Sequence, residues 1–264
     1  MARREDPNVP AVVLEDVSKS FGSNTVLDGV SLTIERGTIA VMLGPSGTGK
    51  SVLLRCLVGL LKPDRGRVLV FGENVAALDE KRARDRQKLF GIRRRFGMLF
   101  QDGALFDDMT VFDNVAFPMR LHTDMSEDAI REKVSDRLAR VGVAHAEQKF
   151  PSELSGGMRK RVAFARAIAI DPDIVLCDEP SSGLDPVMSA TLDELILELH
   201  RTLGMTFIII SHDTAEARMV ADTIGMLADG KLVTFGPADR VFAENHPALE
   251  QFFTRQTVGP IKVV

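Results

Sequence analysis

Two cysteines in 264 residues, Cys56 and Cys177, cannot build a disulfide framework. Both sit in apolar runs, where a free thiol behaves as a small hydrophobe, and a reducing compartment fits them. No stretch reaches the roughly 18 consecutive apolar residues of a membrane-spanning helix, and the best candidate, residues 52–61, is short and interrupted by Arg55. If the protein works on a membrane, it does so from outside. The start, Met1–Pro7, carries paired arginines but no apolar stretch of signal-peptide length follows, so it reads as a solvated terminus. Internal repeats, heptad runs and low-complexity segments are missing too. Nor does one charge dominate: 33 Lys and Arg against 37 Asp and Glu give a net charge of −4, which argues against nucleic acid as the partner.

What is present is the composition of a folded globular protein, 45% apolar and 27% charged, long enough for one large domain or two modest ones. Short β-branched runs recur at residues 12–14, 39–43, 68–71, 174–177, 207–210 and 232–235. Several are continuously apolar, which suits strands covered on both faces in a mainly parallel α/β sheet. Asp229 and Gly230 lie between two such runs and read as a hairpin turn, adding a small antiparallel portion. Between Phe100 and Ile174 the pattern turns helical, giving an inserted helical subdomain at about 103–170 within a single domain over 1–264. Its clearest helix opens at Ser126, places Ile130, Val134, Leu138 and Val141 on one face, and ends at Gly142. The basic stretch 79–95 reads as a solvated helix face or as a contact with a partner or lipid headgroups.

The strand Ile39–Leu43 runs directly into Gly44, Pro45, Ser46, Gly47, Thr48, Gly49, Lys50 and Ser51, after which Val52 continues a helix. This is a phosphate-binding loop in the context it requires. Its glycines let backbone N–H groups converge on phosphate oxygens, the helix N-terminus adds its positive end, Lys50 neutralises β/γ charge, and Ser51 can ligate Mg²⁺. Further on, an apolar strand ends in Asp178 and Glu179. Adjacent strand residues point opposite ways, so Asp178 is read as holding the metal, directly or through water, and Glu179 as the base facing the attacking water. Leu154–Met158 opens a helix over 159–170 rich in Ala and Arg, a second anion-binding helix start. One nucleotide does not obviously need two such starts from one chain, which suggests that two copies share each nucleotide.

These elements in this order resemble the nucleotide-binding subunit of ATP-binding-cassette (ABC) transporters over nearly the whole chain. Gly44–Ser51 matches the family's Walker A loop, Gln101 its Q-loop, Leu154–Met158 its signature, Asp178 and Glu179 its Walker B, residues 182–185 its D-loop, and His212 its switch histidine. The resemblance implies an α/β P-loop NTPase core and a head-to-tail homodimer that hydrolyses ATP to ADP and phosphate with Mg²⁺. It implies catalytic roles for Glu179, His212, Gln101 and Lys50, and Mg²⁺ held by Ser51, Gln101 and Asp178. Nucleotide contacts come from Phe21 and from the loop residues Gly44 to Val52. Ser155, Gly156, Gly157 and Asp185 reach the nucleotide bound by the other copy. Phe21 stands where the family usually has Tyr, and a phenyl face still stacks on adenine. Met158 replaces the usual signature Gln.

The wording of residues 97–106, 111–117 and 154–158 is similar to one subgroup, the ATPase of Mla/Mce-type phospholipid transporters. That implies a peripheral location on the cytoplasmic face of the inner membrane, an integral membrane permease as partner, and further lipid-binding subunits. It also implies a short helical tail over 237–264, which in the subgroup can clasp the other ATPase copy. The segment after Gln101 receives a coupling helix of the permease in the family, so Phe106, Phe112 and Phe117 either line that groove or fill the subdomain core. The alternatives are the ATPase of a small-solute importer, for instance for polar amino acids, and a soluble ABC protein outside transport.

Overall fold

The computed structural model describes residues 8–244 and 246–261; Met1–Pro7, expected as a solvated start, and residues 262–264 of the expected tail lie outside them. The chain forms two compact units, one of residues up to Arg93 together with those from Ile210 onward, the other of Arg94–Ile209. The first unit begins with β1 (Val12–Phe21), β2 (Asn24–Ile34), β3 (Ile39–Leu43), α1 (Lys50–Leu57), β4 (Arg65–Val70), β5 (Glu73–Asn74) and α2 (Ala83–Arg93). The second carries β6 (Phe96–Leu99), α3 (Val111–His122), α4 (Glu127–Arg140), α5 (Gly156–Ala167), β7 (Ile174–Asp178), α6 (Pro186–Leu203) and most of β8 (Thr206–Ser211). The first unit resumes with α7 (Thr214–Val220), β9 (Thr223–Ala228), β10 (Lys231–Pro237), α8 (Ala238–Ala243) and α9 (Pro247–Thr254).

In the first unit an antiparallel sheet runs in the order β2-β1-β4-β5. Strand β2 is absent from the apolar runs of the sequence because only one of its faces is covered. Leu27, Val30, Leu32 and Ile34 are buried while Asp28, Ser31 and Thr33 are exposed, so its apolar residues alternate. Strand β3 is buried along its whole length and pairs in parallel with β9, Ala40 opposite Thr223 and Leu43 opposite Met226. Asp222 fastens the start of β3 by accepting from the Ile39 N–H at 2.8 Å. β9 and β10 are antiparallel, joined at Asp229 (φ 48°) and Gly230 (φ 75°), the two left-handed residues that a tight hairpin turn of matching twist requires.

In the second unit β8, β7 and β6 lie side by side, with β6 and β7 parallel in the register Phe96 opposite Ile174. Helix α4 begins where the sequence places it. Ser126 Oγ accepts from the Ala129 N–H at 3.3 Å, Ile130, Val134, Leu138 and Val141 are all buried, and Gly142 turns the chain away at φ 73°. Each such side chain contributes about 1.5–3 kcal/mol when fully buried. Helix α5 starts at Gly156, three residues before the expected Arg159, because Ser155 rather than a later residue caps it. The three phenylalanines divide: Phe112, in the first turn of α3, is buried, whereas Phe106 and Phe117 are 40% and 36% exposed with ring centroids 4.9 Å apart.

The basic stretch forms α2, which buries Leu89 and Ile92 and leaves Arg84, Arg86 and Lys88 in solvent. Cys56 and Cys177 are free and buried, and burial pushes the Cys56 thiol up to about 11. After α9 the chain turns at Arg255 (φ 55°) and folds back on the helix. The buried Gln251 amide accepts from the Ile261 N–H at 2.7 Å and donates to its carbonyl at 3.1 Å. Gly259 lets that amide pass, since a Cβ there would stand 2.3 Å from Gln251 Oε1.

Candidate nucleotide site

In the first unit β3 delivers the chain into a loop that only glycine can follow at two positions. Gly44 sits at φ 150° with the place of a Cβ 2.2 Å from the Leu227 carbonyl oxygen, and Gly49 sits at φ 99° with that place 2.6 Å from the Val26 carbonyl oxygen. The loop is thus pressed against β9 and β2 by its own backbone, leaving Ser46 and Gly47 exposed at its crest. Lys50, the first residue of α1, is only 5% exposed, and its ammonium donates to the carbonyls of Gly44 (2.6 Å) and Pro45 (2.7 Å), closing the loop into a ring. Thr48 tightens it by donating to the Pro45 carbonyl at 2.9 Å. Gly49 brings no side-chain cap to α1, and a helix start of this kind favours an anion. Beside the crest lies a cavity of about 590 Å³ walled by Asn24, Val26, Pro45–Thr48 and Ile261.

Phe21 closes β1 with its ring 50% exposed and Lys19 Nζ 5.6 Å from the ring centroid, so a flat apolar face is open to stacking. Ser51 and Val52 follow Lys50 in α1, Ser51 exposed. His212 is exposed on the turn from β8 to α7. That turn is fixed on both sides of it: Ser211 Oγ accepts from the Asp213 N–H (2.9 Å), and the Asp213 carboxylate caps α7 through the Ala215 N–H (2.7 Å).

The second unit carries the other half of the expected residues. β7 ends on Asp178, and Glu179 has left the strand with φ 49°. The alternation of strand side chains therefore does not set its direction; a left-handed glutamate at the strand end does, a conformation that costs about 1–3 kcal/mol and clusters at functional sites. Gln101 is exposed after β6 and donates its side-chain amide to Ser182 Oγ at 3.2 Å, which joins it to the 182–185 loop. Ser155 caps α5, its Oγ accepting from the Met158 N–H at 3.3 Å, and Ser155 and Gly156 are exposed. A Cβ on Gly157 would stand 2.3 Å from Met188 Cε, so a larger residue there requires the end of that flexible side chain to move aside. Asp185 is engaged as the N-cap of α6, accepting from Val187 and Met188 N–H groups at 3.0 Å each. Within this unit Gln101, Ser182 and the start of α5 are thus brought together.

Three further residues were not singled out by sequence. Asn114, fully buried in α3, donates to the carbonyls of Phe106, Met109 and Thr110 and accepts from the Phe106 N–H at 2.8 Å, so it fixes the loop after Gln101. Lys160 and Arg166 of α5 donate to backbone carbonyls of the same loop, at Gln101 and at Gly103 and Ala104. The only signal for them in the sequence is their helical spacing with Ala163 and Ala167.

The phosphate cradle and the capped signature helix define a nucleotide-hydrolysing P-loop protein, and comparison with known proteins gives its family. The ABC transporter family matches residues 27–182, more than half of the chain. A "Probable ribonucleotide transport ATP-binding protein mkl" of Mycobacterium tuberculosis is 46% identical over 95% of this chain and 68% of its own length. The "Intermembrane phospholipid transport system ATP-binding protein MlaF" of Escherichia coli is 44% identical over 95% of this chain and 91% of its own. Among solved structures, cbiO1 of Clostridium perfringens, part of the ABC transporter complex cbiONQ, covers 95% of this chain and 96% of its own at 29% identity and a TM-score of 0.81. The dimeric ATP-binding cassette MJ0796, in a post-hydrolysis state with ADP and Pi, covers 86% and 98% at 31% identity and a TM-score of 0.76. The chain belongs to the ABC transporter family, as an ATP-binding ATPase subunit coupled to transport.

Proposed function

We propose that this ATPase drives phospholipid transport as a homodimer docked on a membrane permease at the cytoplasmic face of the inner membrane. The observation that carries the cargo is the 44% identity to the phospholipid-transport relative across 91% of that protein's length. It is supported by the subgroup wording around Gln101 and the signature. No helix among the described residues is long and apolar enough to cross a membrane, which leaves the permease to supply the path. The name of the mycobacterial relatives favours a second cargo, ribonucleotides.

Nucleotide fits the first unit, whose cradle keeps its phosphate-facing backbone clear of side chains at Gly44, Gly47 and Gly49. Lys50 then exchanges its carbonyl partners for β/γ-phosphate oxygens, and the Phe21 ring stacks on adenine. Ser51, Gln101 and Asp178 each offer a side-chain oxygen and would hold Mg²⁺, a hard cation that takes few protein oxygens with waters and phosphates completing its shell. Mg²⁺ held there would supply charge neutralisation for the phosphates. Glu179 takes the proton of the attacking water, and His212 donates to the γ-phosphate. Ser155, Gly156 and Gly157 of each copy meet the nucleotide held by the other, and Asp185 lies in the same interface.

Purification from the native host in gentle detergent, followed by mass spectrometry of co-extracted protein and lipid, tests this reading. A permease carrying phospholipid is the expected result. A permease carrying ribonucleotide or amino acid and no lipid overturns the cargo, and copurification with ribosomes or DNA overturns transport.

A further inference from the structure

Helix α5 carries the signature at its N-terminus and presents one face to the backbone that carries Gln101. Arg159, Lys160, Ala163, Arg166 and Ala167 recur at the helical period and share that face. The strand and loop meet it point by point. A Cβ on Gly97 would stand 2.2 Å from the Ala167 carbonyl oxygen, and one on Gly103 would stand 3.4 Å from the Ala163 Cβ. Lys160, itself buried, donates its ammonium to the Gln101 carbonyl. Arg166 donates Nη2 to the Gly103 carbonyl and Nη1 to the Ala104 carbonyl, each at 2.7 Å.

Gly103 (φ 76°) and Ala104 (φ 48°) are successive left-handed residues, a turn that brings both carbonyls to one guanidinium fork, and alanine adopts it only at a cost. The Phe106 ring adds a face 5.7 Å from Arg166 Cζ. Were the loop to leave the helix, a largely buried cation would lose both of these acceptors, which strongly opposes separation.

We propose that Arg166, seconded by Lys160, is a positioning residue that clamps the Gln101 loop to the signature helix, so that the two move as one body. The clamp has a consequence that rests on the shared-site reading above. Gln101 senses the nucleotide of its own chain while Ser155–Gly157 meet that of the other copy, so events at one nucleotide are transmitted to the second through Arg166.

A double variant, Gly103→Cys with Ala163→Cys, tests the clamp directly. The Cβ separation of 3.4 Å is close to that of a disulfide, and the native thiols Cys56 and Cys177 are buried away from oxidant. In the full transporter complex the oxidised protein should hydrolyse ATP within about twofold of its reduced form. Loss of hydrolysis on oxidation, restored by dithiothreitol, would show that loop and helix must part, and overturns the proposal. Failure of the pair to cross-link on a non-reducing gel contradicts the contact itself.

In parallel, Arg166→Met should lower kcat about tenfold or more with KM for ATP nearly unchanged, and bring the Hill coefficient for ATP toward one, with Arg166→Lys recovering part of both. A loss of activity that only follows the loss of folded protein, with kcat per folded molecule and Hill coefficient intact, overturns the positioning role. The shared-site reading fails separately, if a mixture of Lys50→Ala and Ser155→Ala proteins stays inactive while Arg166→Met still lowers kcat.

Discussion

The Lys50 ammonium donates to the Gly44 carbonyl oxygen at 2.6 Å, closing a ring across the phosphate loop from a side chain that is 5% exposed. The cation proposed to meet phosphate is held in place by its own loop. Replacing it leaves the Gly44 and Pro45 carbonyls without their charged donor, so Lys50→Ala should lose about 1–3 kcal/mol of stability in the nucleotide-free protein and bind ATP at least roughly tenfold more weakly. Ser155→Ala should leave nucleotide binding by the monomer intact and block dimerisation. Calorimetry and fluorescent-nucleotide titration read these effects, and mixing the two inactive proteins should restore part of the activity, since mixed dimers assemble one intact site.

Gly44 and Gly47 share the phosphate loop but not its constraint. Gly44→Ala places a Cβ 2.2 Å from the Leu227 carbonyl oxygen, with backbone on both sides of the clash, and should be destabilised by more than about 3 kcal/mol or fail to fold. Gly47→Ala meets nothing within 4 Å and bears only the strain of φ 81°, about 1–2 kcal/mol. Equal denaturant midpoints for the two variants would contradict the cradle.

Glu179→Gln keeps the shape of the side chain and removes its ability to take a proton. Hydrolysis should fall by roughly 10²–10⁴ while ATP binding persists, and ATP should hold two copies together in size-exclusion chromatography. Turnover near that of the wild type would remove Glu179 from the role of base.

Arg120 joins α3 to α4, donating to Asp113 at 2.9 Å and to both oxygens of Glu127 at 2.9 and 2.8 Å. Its hydrogen bonds hold both carboxyls below their ordinary range, with Thr110 adding to the effect on Asp113. Because the folded values are depressed, the stability they contribute is complete above about pH 4 to 4.5 and is lost as the pH falls through the folded values. The stability gap between wild type and Arg120→Met, measured by urea melts, should therefore be present at neutral pH and close in acid. A gap independent of pH would show that Arg120 acts through packing alone.

The phosphate loop was legible because its residues are contiguous and its strand and helix are adjacent in sequence; the hairpin at Asp229 and Gly230 and the Ser126 cap were legible for the same reason. Strand β2 was not, since it shows its apolar residues only at alternate positions. The left-handed Glu179 defeats an argument from strand periodicity, because the strand stops one residue earlier. For Lys160 and Arg166 the helical spacing marks a shared face but not what that face holds, as their acceptors are backbone carbonyls 59 to 63 residues away and carry no side-chain signature.

The most direct test of the account is ATP-driven movement of labelled phospholipid in proteoliposomes holding the complete transporter. Wild-type ATPase with Mg²⁺ and ATP should move phospholipid, and the same complex with Glu179→Gln should bind ATP and move none. Undiminished ATP hydrolysis with no phospholipid movement, while labelled ribonucleotide or amino acid crosses the bilayer, would contradict it.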